Sequence, residues 1–184
     1  FAESLRAGAE VYYHLKLLLI KNFGETSINT GYESGFAPAF KKTEIAFEFL
    51  LKAIEKAGYE KKFKIGIDIA ASELLYKEKY KINGKILSPK ELADYYLKLC
   101  RNYPIVFIED GFGQDDTAGW QEFSYKLLTI NYKLLVVGDD LTVTNPARIK
   151  MAQEKKLCNG VIIKLNQIGT VTEAINAVNL AKSF

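Results

Sequence analysis

Residues 103–110 read YPIVFIED, a run of β-branched and aromatic residues that ends in two acids, Glu109 and Asp110. A strand buried on both faces of a parallel sheet is a continuous apolar run rather than an alternating one. Three other stretches have the same form: KIGID ends at Asp68, LLVVGDD at Asp139 and Asp140, and GVIIK at Lys164. They recur at roughly 25- to 40-residue intervals, enough for a strand, a helix and their loops. In a barrel of such units the carboxyl ends of the strands carry the chemistry. Asp68, Glu109, Asp139 and Lys164 are therefore the candidate site, with either member of each acidic doublet available as a ligand.

Between these runs the sequence reads as helices and turns. Residues 1–22 and 43–57 carry apolar residues at helical spacing, and Gly58 suits the end of the second helix. The Gly/Ser/Thr/Asn-rich stretch at 22–38 reads as a long loop of functional type. Asn83-Gly84 marks a hairpin within 79–87. Ser88-Pro89-Lys90-Glu91 combines an N-cap, a proline at the first helical position and a capping-box glutamate. Asp115-Asp116, Asn145-Pro146 and Thr170 open three further helices. The order is αα(βα)4, an α/β chain whose strands are expected to lie in parallel with right-handed crossovers. Four strands cannot close an eight-stranded barrel, so an incomplete TIM-type barrel is expected, with residues 1–184 as one partial domain.

The bulk properties exclude several classes. The 184 residues carry 25 Lys+Arg and 22 Asp+Glu, a net charge of +3. The basic residues are spread along helices and turns, so no nucleic-acid surface is expected. Cys100 and Cys158 lack CxxC spacing, which favours a reduced, cytoplasmic setting. No stretch reaches the roughly 18 apolar residues of a membrane span. The single methionine is Met151, so the chain reads as a piece of a longer one.

Three carboxylates from successive strand ends, without a nearby His or Cys, point to a hard cation such as Mg²⁺. A lysine placed beside divalent cations has its charged form disfavoured, which moves it toward the range of a general base. The pattern suggests metal-assisted proton abstraction.

Five blocks then make the reading specific: GYESGFAP at 31–38, KIGIDIAASELL at 64–75, YPIVFIEDGF at 103–112, VVGDDLTVTNPARI at 136–149 and VIIKLNQIGTVTEA at 161–174. In this order they resemble the catalytic barrel of the enolase family, the phosphopyruvate hydratases, over essentially the whole chain. The resemblance implies an αα(βα)4 segment of the family's ββαα(βα)6 barrel. It also implies Mg²⁺-dependent dehydration of 2-phospho-D-glycerate to phosphoenolpyruvate in glycolysis and gluconeogenesis. Carried over residue by residue, Asp68, Glu109 and Asp139 match the ligands of two Mg²⁺ ions per complete site. Lys164 matches the base that takes the C2 proton, and Glu33 the acid that assists departure of the C3 hydroxyl. Glu33, Glu109, Asp139 and Lys164 would lie nearest the substrate.

The loop of the family normally reads Gly-Asp/Asn-Glu-Gly-Gly, whereas this chain has Tyr32 and Ser34 on either side of Glu33. Ser34 stands where a glycine could take a positive φ. The resemblance further implies a homodimer for the full-length enzyme and a cytoplasmic location, although family members also occur at the cell surface. An amino-terminal domain and the first barrel strands would precede Phe1, and the last barrel units would follow Phe184, leaving the isolated chain inactive. Another acid-sugar dehydratase or racemase of the wider superfamily, or a non-catalytic interaction fragment, are the alternative expectations.

Overall fold

The computed structural model describes residues 1–183, and the chain falls into two compact units, Phe1–Phe63 and Lys64–Phe184.

In the first unit, α1 (Ala2–Phe23) buries Ala7, Val11 and Leu19, and α2 (Thr43–Lys56) buries Phe47, Phe49, Ala53 and Ile54. Val11, Ala53 and Ile54 form the centre of a cluster that Leu15, Leu18, Leu50, Leu51 and Phe63 extend. Gly58 ends α2 as its sequence position suggests. Its φ is +77°, its N–H bonds the Glu55 carbonyl at 2.8 Å, and the Tyr59 N–H reaches back to Ile54 at 3.0 Å. That pair of bonds satisfies two carbonyls the helix would otherwise leave open.

The connection between the helices is not structureless. Glu25–Ile28 forms a 3₁₀ turn, and Thr30 pairs with Phe36 across a tight loop closed by a 2.9 Å bond from Gly31 N–H to the Gly35 carbonyl. Glu33 sits exposed at the tip. Ser34 adopts φ +62°, and its carbonyl accepts the Tyr12 hydroxyl at 2.8 Å. A positive φ costs an L-residue roughly 1–2 kcal/mol, partly offset by the greater freedom glycine loses on folding. Ser34→Gly should therefore stabilise this unit by about 0.5 kcal/mol, measured by chemical denaturation; a loss of stability would show that the serine side chain matters more than its backbone.

The second unit contains the parallel sheet. Its elements are β1 (Ile65–Asp68), β2 (Leu75–Tyr76), β3 (Lys79–Ile82), β4 (Lys85–Leu87), α3 (Pro89–Asn102), β5 (Ile105–Glu109), α4 (Thr117–Thr129), β6 (Leu135–Gly138), α5 (Pro146–Glu154), β7 (Gly160–Val161), α6 (Leu165–Ile168) and α7 (Val171–Lys182). The sheet order is β1-β5-β6-β7, with every pair parallel, so the strands follow one another in sequence and the barrel is not closed. This is the αα(βα)4 order read from the sequence, with two additions: β2 joins the expected β3–β4 hairpin in a separate antiparallel sheet, and the short α6 precedes α7.

Local signals act as expected. Asn83 and Gly84 take φ +50° and +73° in the β3–β4 turn. Ser88 and Glu91 complete a capping box, and Asp116, Asn145 and Thr170 cap α4, α5 and α7 with their side chains. The last strand is shorter than the VIIK run suggests. Beyond Val161 its neighbour β6 has already turned at Gly138: the Ile162 N–H still reaches the Gly138 carbonyl, while the Lys164 N–H turns to the Thr144 hydroxyl.

The core beside the sheet is aromatic. Trp120, Tyr80, Tyr96, Phe112 and Phe123 are fully buried, and Phe112 lies within 6.0 Å, centroid to centroid, of each of the other four. Their polar atoms are used to hold the chain just past β5. Tyr96 donates to the Gly111 carbonyl, Trp120 to the Gly113 carbonyl, and Tyr80 accepts the Gly113 N–H while donating to Asp116. The loop that carries the β5 acids is thus fixed from below. Among the described residues, no helix is long and apolar enough to cross a membrane.

Candidate active site

The register of the sheet brings the strand-end residues of the second unit together. Asp68, the last residue of β1, is the direct partner of Glu109, the last residue of β5. Glu109 in turn faces Val137, two residues before Asp139. The carboxylates of Asp68, Glu109 and Asp110 each place an oxygen within 4.8 Å of the other two. All the donors are oxygens, the set a hard divalent cation takes. The residues present therefore fit such an ion.

The electrostatics of Glu109 support the same conclusion. Burial, followed by the charges of Asp68, Asp139 and Asp110, raises its carboxyl to about 7. Carboxylates gathered this closely oppose one another's ionisation, and a cation between them would relieve that repulsion.

Asp110 has a second task that the sequence does not announce. It is 4% exposed, adopts φ +42°, and accepts the backbone N–H groups of Asp139 at 3.1 Å and Asp140 at 2.8 Å. Its own N–H bonds Val137, and its carbonyl accepts Ala71 N–H. One residue thereby ties the end of β5 to the turns after β6 and β1. Burial raises its carboxyl above the usual aspartate range, against the lowering effect of the backbone donors of Asp140, Asp139 and Leu141.

Asp139 is buried immediately after β6, and its side chain is directed along the sheet toward Lys164. One of its oxygens accepts the Lys164 ammonium and the other accepts the Gln167 amide at 2.7 Å. Lys164 is the N-cap residue of α6 rather than part of a strand. Its hydrogen bond to Asp139 raises its pKa above the ordinary lysine value, burial works in the opposite direction, and the charges of Asp139, Glu109 and Asp140 add to the rise. The lowering expected from the sequence requires cations as neighbours; the side chains beside Lys164 are anions.

Glu33 belongs to the first unit, on the exposed loop already described. Two residues escaped the sequence reading altogether: Thr144, fully buried, and Gln167, which links Thr144 to Asp139. The only available signal was their position within the VVGDDLTVTNPARI and VIIKLNQIGTVTEA blocks.

Comparison with known families agrees with the fold. The family described as "Enolase, C-terminal TIM barrel domain" matches residues 1–184. The chain belongs to the enolase C-terminal TIM-barrel domain family.

Proposed function

We propose that this chain is the catalytic-barrel part of an enolase-type hydro-lyase that interconverts 2-phosphoglycerate and phosphoenolpyruvate with Mg²⁺. What carries the reading is the row of strand-end side chains in the second unit, three clustered carboxylates continued by the Asp139–Lys164 pair. Asp68, Glu109 and Asp139 are the residues assigned to Mg²⁺, with Asp110 as a structural neighbour whose oxygens already serve two backbone amides. A bound Mg²⁺ supplies Lewis-acid stabilisation of negative charge on the substrate carboxylate.

The chain's own groups do the rest. Lys164 Nζ receives the C2 proton once its ammonium has lost one, so the Asp139 contact that keeps it charged must weaken when substrate and cation are in place. Glu33, by the resemblance of its loop, is the acid for the departing hydroxyl. As in the family, the protein is expected to work as a homodimer in the cytoplasm.

The direct test is Mg²⁺-dependent formation of phosphoenolpyruvate from 2-phosphoglycerate, followed by absorbance, in the protein that carries this chain. Lys164→Ala should lower turnover by about 10²- to 10⁴-fold, the range of a lost general base. Mg²⁺ affinity measured by calorimetry should change only a few-fold. Turnover that survives Lys164→Ala would remove the lysine from the chemistry, and a chain that takes up no Mg²⁺ would remove the reading itself.

A further inference from the structure

The turn after β6 contains two consecutive β-branched residues in the left-handed region, Val143 at φ +43° and Thr144 at φ +56°. Such residues rarely adopt positive φ, and the conformation persists only where the surroundings over-determine it. Here they do so through one buried hydroxyl. Thr144 Oγ1 accepts the backbone N–H of Lys164 at 2.8 Å and donates to Gln167 Oε1 at 2.8 Å. Gln167 Nε2 donates to Asp139 Oδ1 at 2.7 Å, and Asp139 Oδ2 accepts from Lys164 Nζ. The bonds form a closed ring that leaves Lys164 at its backbone and returns to it at its side chain.

Each donor and acceptor in this ring has its direction determined. A threonine hydroxyl has one proton, and Thr144 gives it to Gln167 while accepting from Lys164. The amide end of Gln167 is then the end that faces Asp139; a flipped amide would set its oxygen against a carboxylate oxygen. One oxygen of Asp139 is thereby committed to Gln167, leaving the other for the lysine or a cation.

We propose that Thr144 and Gln167 are positioning residues that hold Asp139 and Lys164 in register, with the Gln167 amide deciding which carboxylate oxygen stays free. This rests on the proposed function for the meaning of Asp139 and Lys164, but the ring can be tested without that reading.

Two measurements on the full chain test it. In the ¹⁵N-labelled chain without added cation, the Gln167 side-chain amide should exchange slowly with solvent. Thr144→Ser should keep that protection and Thr144→Val should abolish it. A Gln167 amide that exchanges like a surface glutamine would overturn the ring. Calorimetry with Mg²⁺ gives the second readout. Gln167→Leu and Thr144→Val should each weaken binding by about tenfold or more, the usual effect of losing a partner that orients a ligand. Thr144→Ser should stay within about twofold of wild type, and the double variant Thr144→Val/Gln167→Leu should be no weaker than Gln167→Leu alone. Unchanged affinity in Gln167→Leu, or losses that simply add, would overturn the positioning role, provided melts show every variant folded. A wild-type chain that takes no Mg²⁺ would defeat the functional reading, leaving the exchange result to judge the ring by itself.

Discussion

Asp110→Ala should destabilise the Lys64–Phe184 unit by about 3 kcal/mol, while Asp110→Asn should cost about half as much. The alanine leaves the backbone amides of Asp139 and Asp140 buried without their acceptors, each worth roughly 1–3 kcal/mol. It also forces a residue with no side-chain polar group into φ +42°, a conformation that Asp and Asn tolerate better. Partial compensation comes from removing a negative charge beside Glu109. Asparagine retains one acceptor and the backbone preference, hence the smaller effect. The readout is denaturant unfolding followed by fluorescence of Trp120, the only tryptophan, which lies in the core of this unit. Equal losses in the two variants would mean that the charge of Asp110, rather than its geometry, sustains the loop.

The response to pH should reverse sign when Mg²⁺ is added. Glu109 titrates near 7 in the folded chain, above the ordinary glutamate value of the unfolded one, because of burial and then the charges of Asp68, Asp139 and Asp110. The folded state therefore holds this proton more tightly. Its contribution to stability is full below the unfolded value, near pH 4.5, and is lost as pH rises through about 7. Without a divalent cation, melting temperature should fall between pH 5.5 and pH 8. The carboxyl is partly solvated, so about 1–2 kcal/mol of stability is at stake, less than the full shift implies. With millimolar Mg²⁺ the cation competes with that proton, and melting temperature should rise over the same interval. Glu109→Gln should flatten both curves and weaken Mg²⁺ binding by at least tenfold. Parallel curves with and without Mg²⁺ would separate Glu109 from the cation site.

The parts of this structure that were legible in the sequence are those encoded within a few neighbouring residues. The capping box at Ser88 and Glu91, the Asn83-Gly84 turn and the Asn145-Pro146 helix start each depend on local geometry alone. The buried strands were legible because two-sided burial leaves no room for polar alternation, as in Ile105–Glu109. The acids were legible because parallel strands deliver their carboxyl ends to one side. The division of labour within the doublets was not legible from spacing, and only the family resemblance favoured their first members. Glu109 and Asp110 are chemically alike in sequence, and only the left-handed turn at Asp110 directs its oxygens toward the amides of Asp139 and Asp140. Thr144 and Gln167 were hidden for a related reason. Their partners lie 20 and 28 residues away, and a β-branched pair gives no sign that it will adopt positive φ.

The register of the sheet has a geometric consequence for the four strand-end residues. Asp68 and Glu109 are level with one another. Asp139 lies two residues past Val137, the partner of Glu109, and Lys164 lies three past Val161, the partner of Gly138. From β1 to β7 the functional positions thus move forward by about four residues in sequence relative to the pairing, the last two lying just past the ends of β6 and β7. The four positions therefore step forward along the sequence from strand to strand, as the register of a sheared sheet requires. Deleting Gly138 would draw the Asp139 carboxylate back to the end of β6 and out of step with Lys164 and Gln167, leaving the pairing of Leu135–Val137 with β5 intact.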